Sequence, residues 1–249
     1  MTATPVVVVP CYDEAARLRD EHVDELLALT GAAVLFVDDG SNDATPQRLA
    51  AIQRRHPDRV CIERLPMNHG KAEAVRHGLV AALDRGAPIV AYYDADFATP
   101  PSELARLLTT LRERDVDAVL GSRVALLGTR IDRSAVRHYV GRVFATAASL
   151  AIGLTVYDTQ CGAKVFRSTP ALQAALDRPF VARWAFDVEL LARLHRGAGQ
   201  LDGLASDRLL ELPLRSWHEV PGSKMTVGAA VRALLDLLVI ARVQRRSSR

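Results

Sequence analysis

The strongest chemical signal in the chain is Asp94-Ala95-Asp96, two carboxylates one residue apart directly after the apolar run Ile89-Val90-Ala91-Tyr92-Tyr93. Acids so spaced at a strand end can converge on one divalent cation, with substrate phosphates completing an octahedral oxygen shell. A cation held there would neutralise charge developing on a departing diphosphate. An Asp-x-Asp alone is common in surface loops. Here two further acidic pairs also follow apolar runs, Asp13 and Glu14 after residues 6–10, and Asp38 and Asp39 after residues 32–37. In open α/β sheets ligands lie off the carboxyl ends of the strands, so three such pairs mark a site. No Gly-x-x-x-x-Gly-Lys-Ser/Thr, no Gly-x-Gly-x-x-Gly after the first strand and no nucleophile elbow occurs, which argues against P-loop hydrolysis, dinucleotide redox chemistry and serine hydrolysis.

The elements that must carry these acids are legible in the first half. Residues 6–10, 32–37, 60–63 and 88–93 read as strands, the first, second and fourth as continuous apolar runs that suit burial on both faces. Between and after them residues 20–30, 45–56, 70–85 and 100–114 read as helices, with Pro46 in a first turn where its missing N–H is harmless. Strand–helix alternation at this spacing predicts an α/β fold with a mostly parallel sheet and right-handed crossovers. The second half loses the alternation. It offers a strand and turn at 119–123, a helix over 134–154, a turn at 158–162 into a strand at 164–166, a helix over 187–196 and a late strand at 208–214.

The 249 residues suffice for a sizeable core without staples. Cys11, Cys61 and Cys161 have no metal-like spacing, so neither a disulfide framework nor a zinc site is expected, and a reducing compartment is favoured. The start lacks a basic leader, so no signal peptide is expected. The uncharged stretch 143–157 has 15 residues, short of the ~20 needed to span a bilayer. From residue 221 to 249, Lys224, Arg232, Arg242, Arg245, Arg246 and Arg249 stand against Asp236 alone, whereas the whole chain carries only +3. A basic tail on a slightly acidic body suggests a polyanionic partner surface, or simply a solvated end. The reading is one domain over 1–225 and an amphipathic, basic C-terminal segment over 226–249.

Four blocks, Val9-Pro10-Cys11-Tyr12-Asp13-Glu14, Val37-Asp38-Asp39-Gly40-Ser41-Asn42-Asp43-Ala44-Thr45, Asn68-His69-Gly70-Lys71 and Asp94-Ala95-Asp96, resemble family 2 glycosyltransferases with the GT-A fold. Gly121-Ser122-Arg123, the run from Asp158 to Phe166, the run from Arg183 to Leu191 and the run from Trp217 to Lys224 resemble dolichyl-phosphate β-glucosyltransferases. The likeness extends over about residues 5 to 240. Asp13 replaces the usual Asn of the first motif, and Phe97 stands where the eukaryotic glucosyltransferases tend to have Gly, closer to dolichyl-phosphate mannose synthases.

The resemblance implies a Rossmann-like GT-A sheet and a nucleotide-sugar pocket from Pro10, Tyr12, Glu14, Asp38, Asp39, Lys71 and Asp94. Asp94 and Asp96 would hold Mg2+ or Mn2+ and the donor diphosphate. Pro10 and Tyr12 equally suit a strand end and core filling, and Asp38 equally suits a cap on the turn into Ser41. Arg123, Arg130 and Arg133 form a basic loop suited to bidentate capture of an acceptor phosphate, with Arg130 the best candidate for a plain surface arginine. Asp158 is placed near the reacting centre, or else is a turn aspartate. Trp184, Asp187, Glu189 and Lys224 complete the acceptor set. Asp187 and Glu189 lie about 200° apart on a helix, so at most one faces the sugar. Buried packing is the commoner role for Trp184 and Trp217.

The implied reaction is inverting transfer of glucose from UDP-glucose to a polyprenyl phosphate, the alternatives being GDP-mannose as donor or a soluble acceptor. An acceptor phosphate is already anionic, so positioning and charge stabilisation carry the chemistry, whereas a hydroxyl acceptor would need Asp158 as base. A lipid acceptor with no spanning segment implies a peripheral protein on the cytoplasmic membrane face, without a nucleic-acid partner. Two stretches suit the interface: 134–154, with Val136, Val140, Val143, Phe144, Ala147, Leu150 and Leu154 at helical spacing, and 227–243, with Val227, Val231, Leu234, Leu235 and Leu238 on one face. For 134–154, packing on the core is an equal alternative.

Overall fold

The computed structural model describes residues 4–132, 135–220 and 236–242. Its first half alternates as the apolar runs require: β1 (Val6–Cys11), α1 (Asp20–Thr30), β2 (Ala33–Asp38), α2 (Thr45–Arg55), β3 (Val60–Arg64), α3 (Lys71–Asp84), β4 (Ile89–Tyr93), α4 (Pro101–Glu113) and β5 (Ala118–Ser122). The second half adds β6 (Arg130–Ile131), α5 (Ala135–Ile152), β7 (Ala163–Arg167), α6 (Pro170–Leu176), α7 (Phe186–Arg196), β8 (Leu209–Pro213) and β9 (Ser216–Trp217). Seven strands form one sheet in the order β3-β2-β1-β4-β7-β5-β8, and β6 pairs with β9 beside it. The sheet is mostly parallel and flanked by helices.

The exception is β7, antiparallel to both β4 and β5. The chain leaves β5 at the carboxyl end of the sheet and re-enters at that same end, with Ala163 opposite Tyr93. This reversal brings the turn at 158–162 to Asp94. The sequence reading anticipated neither this direction nor α6.

Strand alternation divides the core. Val7 and Val9 join one buried cluster with Leu26, Leu49 and Leu104, from α1, α2 and α4, while Val8 joins the other with Leu79 and Leu190, from α3 and α7. Each fully buried Val or Leu contributes about 1.5–3 kcal/mol of transfer free energy, so a two-sided sheet stabilises the strands that carry the acids. α3 approaches unusually closely: a Cβ at Gly78 would lie 2.3 Å from Val8 Cγ1.

α5 divides its apolar residues between core and solvent. Ala148 and Ile152 are buried and Phe144 and Ala147 pack against the core, while Val140, Val143 and Leu150 are exposed together with Tyr139. Residues 236–242 are helical and dock on the body, with Leu237 and Ile240 buried and Leu238 exposed. Arg133, Lys224, Val227, Val231, Leu234 and Leu235 lie outside the described residues. Among the described residues no helix is long and apolar enough to cross a membrane.

Candidate active site

The loops after β1 and β2 lock together. Asp13 takes a left-handed backbone (φ 52°), which a short polar side chain tolerates. Its backbone N–H donates to Ser41 Oγ at 3.0 Å, and its Oδ1 accepts from Asn42 N–H at 2.9 Å. The N–H of Glu14 donates to Thr45 Oγ1 at 2.8 Å, and the Glu14 carboxylate pairs with Arg17. Pro10 lies in β1 opposite Val37, and half-buried Tyr12 follows just beyond that strand. Asp38 is buried; Oδ1 accepts from Ser41 N–H at 3.0 Å and Oδ2 lies 3.2 Å from Arg64 Nε. It therefore caps the turn.

Asp39 positions the lysine. Its two oxygens accept from the backbone N–H groups of His69 and Gly70, each at 2.8 Å, fixing the turn from which α3 starts. Lys71 opens that helix and sets Nζ 2.6 Å from Asp94 Oδ1. Its side chain is about half exposed (45%). Crowding by protein acts to lower its pKa, but the carboxylates of Asp94, Asp187 and Asp96 outweigh this and raise it above the ordinary lysine value.

Asp94 and Asp96 sit on a tightly bent backbone. Asp94 N–H donates to Gly162 O at 2.9 Å, and a Cβ at Gly162 would stand 2.0 Å from Asp94 Oδ2, so only glycine fits beneath that carboxylate. Asp96 Oδ1 accepts from Ala98 N–H at 3.0 Å. The next residue, Phe97, is held at φ 53°, a conformation costly for a bulky side chain, by ring contacts with Tyr93 (5.4 Å) and His22 (4.9 Å). Burial first, and then the charge of Asp94, push the Asp96 carboxyl up from its usual value. Two mutually repelling carboxylates offer hard oxygen donors that suit Mg2+ or Mn2+. Among the described residues no cluster of three or more His, Cys, Asp or Glu is placed to hold a metal alone. A cation held by this pair would need the donor phosphates and water to complete its shell.

Beneath this cleft lies a group the sequence reading did not select. Lys164, in β7, is fully buried, and its Nζ donates to Cys161 O at 2.6 Å, to Tyr92 Oη at 2.7 Å and to Asp187 Oδ1 at 2.7 Å. Tyr92 Oη also donates to Asp187 Oδ1. Burial pushes the Asp187 carboxyl up and the Lys164 ammonium down, so their pairing does not fully repay the cost of burying both charges. The available signal was one lysine inside the otherwise apolar run Ala163–Phe166. Cys161 is buried and its thiol pushed up to about 11 by burial and then by Asp158, which leaves no thiolate nucleophile at neutral pH.

On the far side of Asp94, Arg123 and Asp158 engage each other. Nε and Nη2 of Arg123 reach Oδ2 and Oδ1 of Asp158 at 2.7 and 2.9 Å, and Asp158 also accepts from the N–H groups of Arg123 and Gln160. Glu211 fixes the turn by accepting from Tyr157 and Asp158 N–H at 2.7 and 2.6 Å. The Arg123 guanidinium lies 5.4 Å from the centre of the Trp217 ring. The sequence suggests an acceptor phosphate for Arg123, and for Asp158 either the reacting centre or a turn, and Asp158 Oδ1 does accept within its own turn from Gln160 N–H. The structure spends the guanidinium fork on the carboxylate.

The remaining acceptor residues scatter. Arg130 is exposed in β6, and Trp184 is exposed ahead of α7. Glu189, expected at the acceptor, is instead buried; it accepts from Ala182 N–H at 2.8 Å and pairs with Arg193 at 2.6 Å. Helical rotation separates it from Asp187, which takes the cleft side.

The chain is similar to known proteins in sequence and in fold. The model of glycosyl transferase family 2 matches residues 6–171. A dolichyl-phosphate β-glucosyltransferase of Drosophila melanogaster is 33% identical over 241 residues, covering 88% of this chain and 68% of the relative. One from Saccharomyces cerevisiae is 29% identical over 265 residues, covering 94% and 73%. Among solved structures, glucosyl-3-phosphoglycerate synthase from Mycobacterium tuberculosis with Mn2+, UDP and glucosyl-3-phosphoglycerate superposes with a TM-score of 0.67 at 19% identity, covering 97% of this chain and 81% of that one. A mannosyltransferase from Pyrobaculum calidifontis with GDP-Man and Mn2+ gives 0.61 at 19% identity, covering 98% and 65%. These likenesses show the GT-A fold, and the family match over residues 6–171 establishes that the chain belongs to glycosyl transferase family 2 and is a glycosyltransferase.

Proposed function

We propose that the protein is an inverting, metal-dependent transferase that moves glucose from UDP-glucose to a polyprenyl phosphate. The observation that carries this reading is the commitment of Asp158 to the Arg123 fork. A carboxylate so occupied is a poor base, which suits an acceptor that arrives already ionised. The relatives named as dolichyl-phosphate β-glucosyltransferases support the same donor sugar and acceptor class.

Lys71 is placed to bind the donor diphosphate once its contact with Asp94 loosens, and Asp39 keeps it at the cleft through the Gly70 turn. Asp94 and Asp96 would hold Mg2+ or Mn2+, which when bound supplies charge neutralisation on the leaving diphosphate. Gly162 gives Asp94 room, and Phe97 fixes the bend that aims Asp96. Arg123, with Asp158 behind it, presents its remaining N–H groups towards an acceptor phosphate.

The protein works at a membrane surface in this reading, on the cytoplasmic face. The support is Tyr139, Val140, Val143 and Leu150 exposed on α5, with Leu126 and Leu127 exposed in the loop after Arg123. An apolar face of this size suits an interfacial helix.

Donor choice is tested by thermal melts with Mn2+ and UDP-glucose, UDP-galactose or GDP-mannose. At about 100 times its dissociation constant the correct donor stabilises by about 2.7 kcal/mol. UDP-glucose should raise Tm most; a larger shift with GDP-mannose would reassign the donor.

A further inference from the structure

α7 carries Asp187 beneath the cleft yet has no side-chain cap of its own. Its first flanking residue is Ala185, which offers no side-chain acceptor. The acids of its first turn are engaged elsewhere, Asp187 with Lys164 and Glu189 with Arg193. The missing acceptor comes from far along the chain. Asp236 Oδ2 accepts from the backbone N–H groups of Trp184 and Ala185 at 3.1 and 3.2 Å, across 51 residues or more. A carboxylate there both satisfies the turn entering the helix and complements the positive end of its dipole. The contact is not an isolated surface pair. Leu237 and Ile240, in the same helical segment, are buried in the cluster that includes Phe186, the first residue of α7.

We propose that Asp236 is a positioning residue for the transfer reaction: from the C-terminal helix it fixes the first turn of α7 and so holds Asp187 against Lys164 beneath the donor cleft. Phe186 and Asp187 follow directly on the N–H groups that Asp236 holds, so a shift of that turn moves the Asp187 carboxylate. Its Oδ1 has two partners within hydrogen-bond reach, Lys164 and Tyr92, and Lys164 also donates to Cys161 O, next to Gly162, whose carbonyl accepts from Asp94 N–H at 2.9 Å. A loosened turn would therefore reach the carboxylate proposed to hold the cation on the donor diphosphate. Residues 236–242 would through this contact be linked mechanically to the donor site.

The inference rests on the nucleotide-sugar reading, and the test separates the two. Asp236→Ala and Asp236→Asn are made in the full chain, with UDP affinity measured by calorimetry in Mn2+ and emission of Trp184 read in a Trp217→Phe background. Asp236→Ala should weaken UDP binding roughly three- to tenfold, the size of one helix cap, and red-shift the Trp184 emission. Asp236→Asn, which keeps the acceptor oxygen, should stay within about twofold. A lower Tm with unchanged UDP affinity in the folded protein would reduce Asp236 to a structural role and overturn the proposal. An Asn variant as impaired as Ala would overturn it too, because the acceptor oxygen would not be what matters. If Asp236→Ala does not fold, Asp236→Glu, which displaces the acceptor but keeps the charge, is expected to show the same losses, and wild-type affinity there contradicts the proposal. Wild-type protein that fails to bind UDP would sink the donor reading instead. In that case the Trp184 emission still decides, since an unshifted Asp236→Ala spectrum denies that Asp236 holds this turn.

Discussion

Asp96→Asn should lower transfer by about three orders of magnitude and leave the fold intact. Asparagine is the informative substitution because its oxygen can still accept from Ala98 N–H, which preserves the bend before Phe97. Only the charge is removed. Burial and the neighbouring Asp94 raise the Asp96 pKa in the folded protein, so ionising Asp96 costs stability. That cost appears as pH rises past the ordinary value of 3.8 and is complete above the raised folded value. At neutral pH without metal, the Asn variant should therefore melt at or above the wild-type temperature, and the two should converge below the ordinary value. Transfer assays, melts in chelator and Mn2+ titrations with UDP check the three parts. A variant with substantial activity, or wild-type activity that survives excess chelator, removes the metal-assisted account.

Arg123→Ala should cost about 3–5 kcal/mol of stability, because it leaves the Asp158 charge without its partner in a nearly closed site. For a chain of this size that corresponds to a fall in Tm of roughly 10 °C. Transfer to a lipid phosphate should fall further than donor binding. Arg123→Lys should not rescue it, since a point charge cannot reproduce the fork on both carboxylate oxygens. Charge reversal at Arg123 would set two carboxylates against each other and report on folding before it reported on the acceptor. The double variant Arg123→Met with Asp158→Leu separates the effects, because removing both charges restores stability without restoring transfer. Denaturant melts and acceptor kinetics on the four proteins provide the check. A loss below about 1 kcal/mol for Arg123→Ala would mean the pair behaves as an exposed salt bridge.

Local pattern made much of this site legible. The apolar runs that became β1, β2 and β4 each meet an acid within two residues of their ends, and strand direction alone puts those acids at one end of the sheet. Asp38 was readable either as a turn cap or as a ligand, and its contact with Ser41 N–H makes it the cap. What escaped depends on pairing between distant parts of the chain. Arg123 and Asp158 are 35 residues apart, and each taken singly looks like a free functional group. Lys164 was hidden because periodicity assigns a strand residue to a face without saying what lies opposite, here Asp187. The reversed β7 was invisible because an apolar strand carries no mark of its direction. Glu189 faces away from the cleft for a reason that was readable, its angular offset from Asp187, although the sequence did not say which of the two turned inward. The apolar residues of α5 fit both interface and core, and the folded helix uses them for both.

Transfer of labelled glucose from UDP-glucose to a polyprenyl phosphate in anionic vesicles, with Mn2+ present, tests the central claim most directly. The account predicts a lipid-extractable product with an inverted, β-configured anomeric carbon, no product in excess chelator and none with Asp96→Asn. Lipid product formed from GDP-mannose but not from UDP-glucose, or label found only in a water-soluble product when soluble acceptors compete, would contradict it.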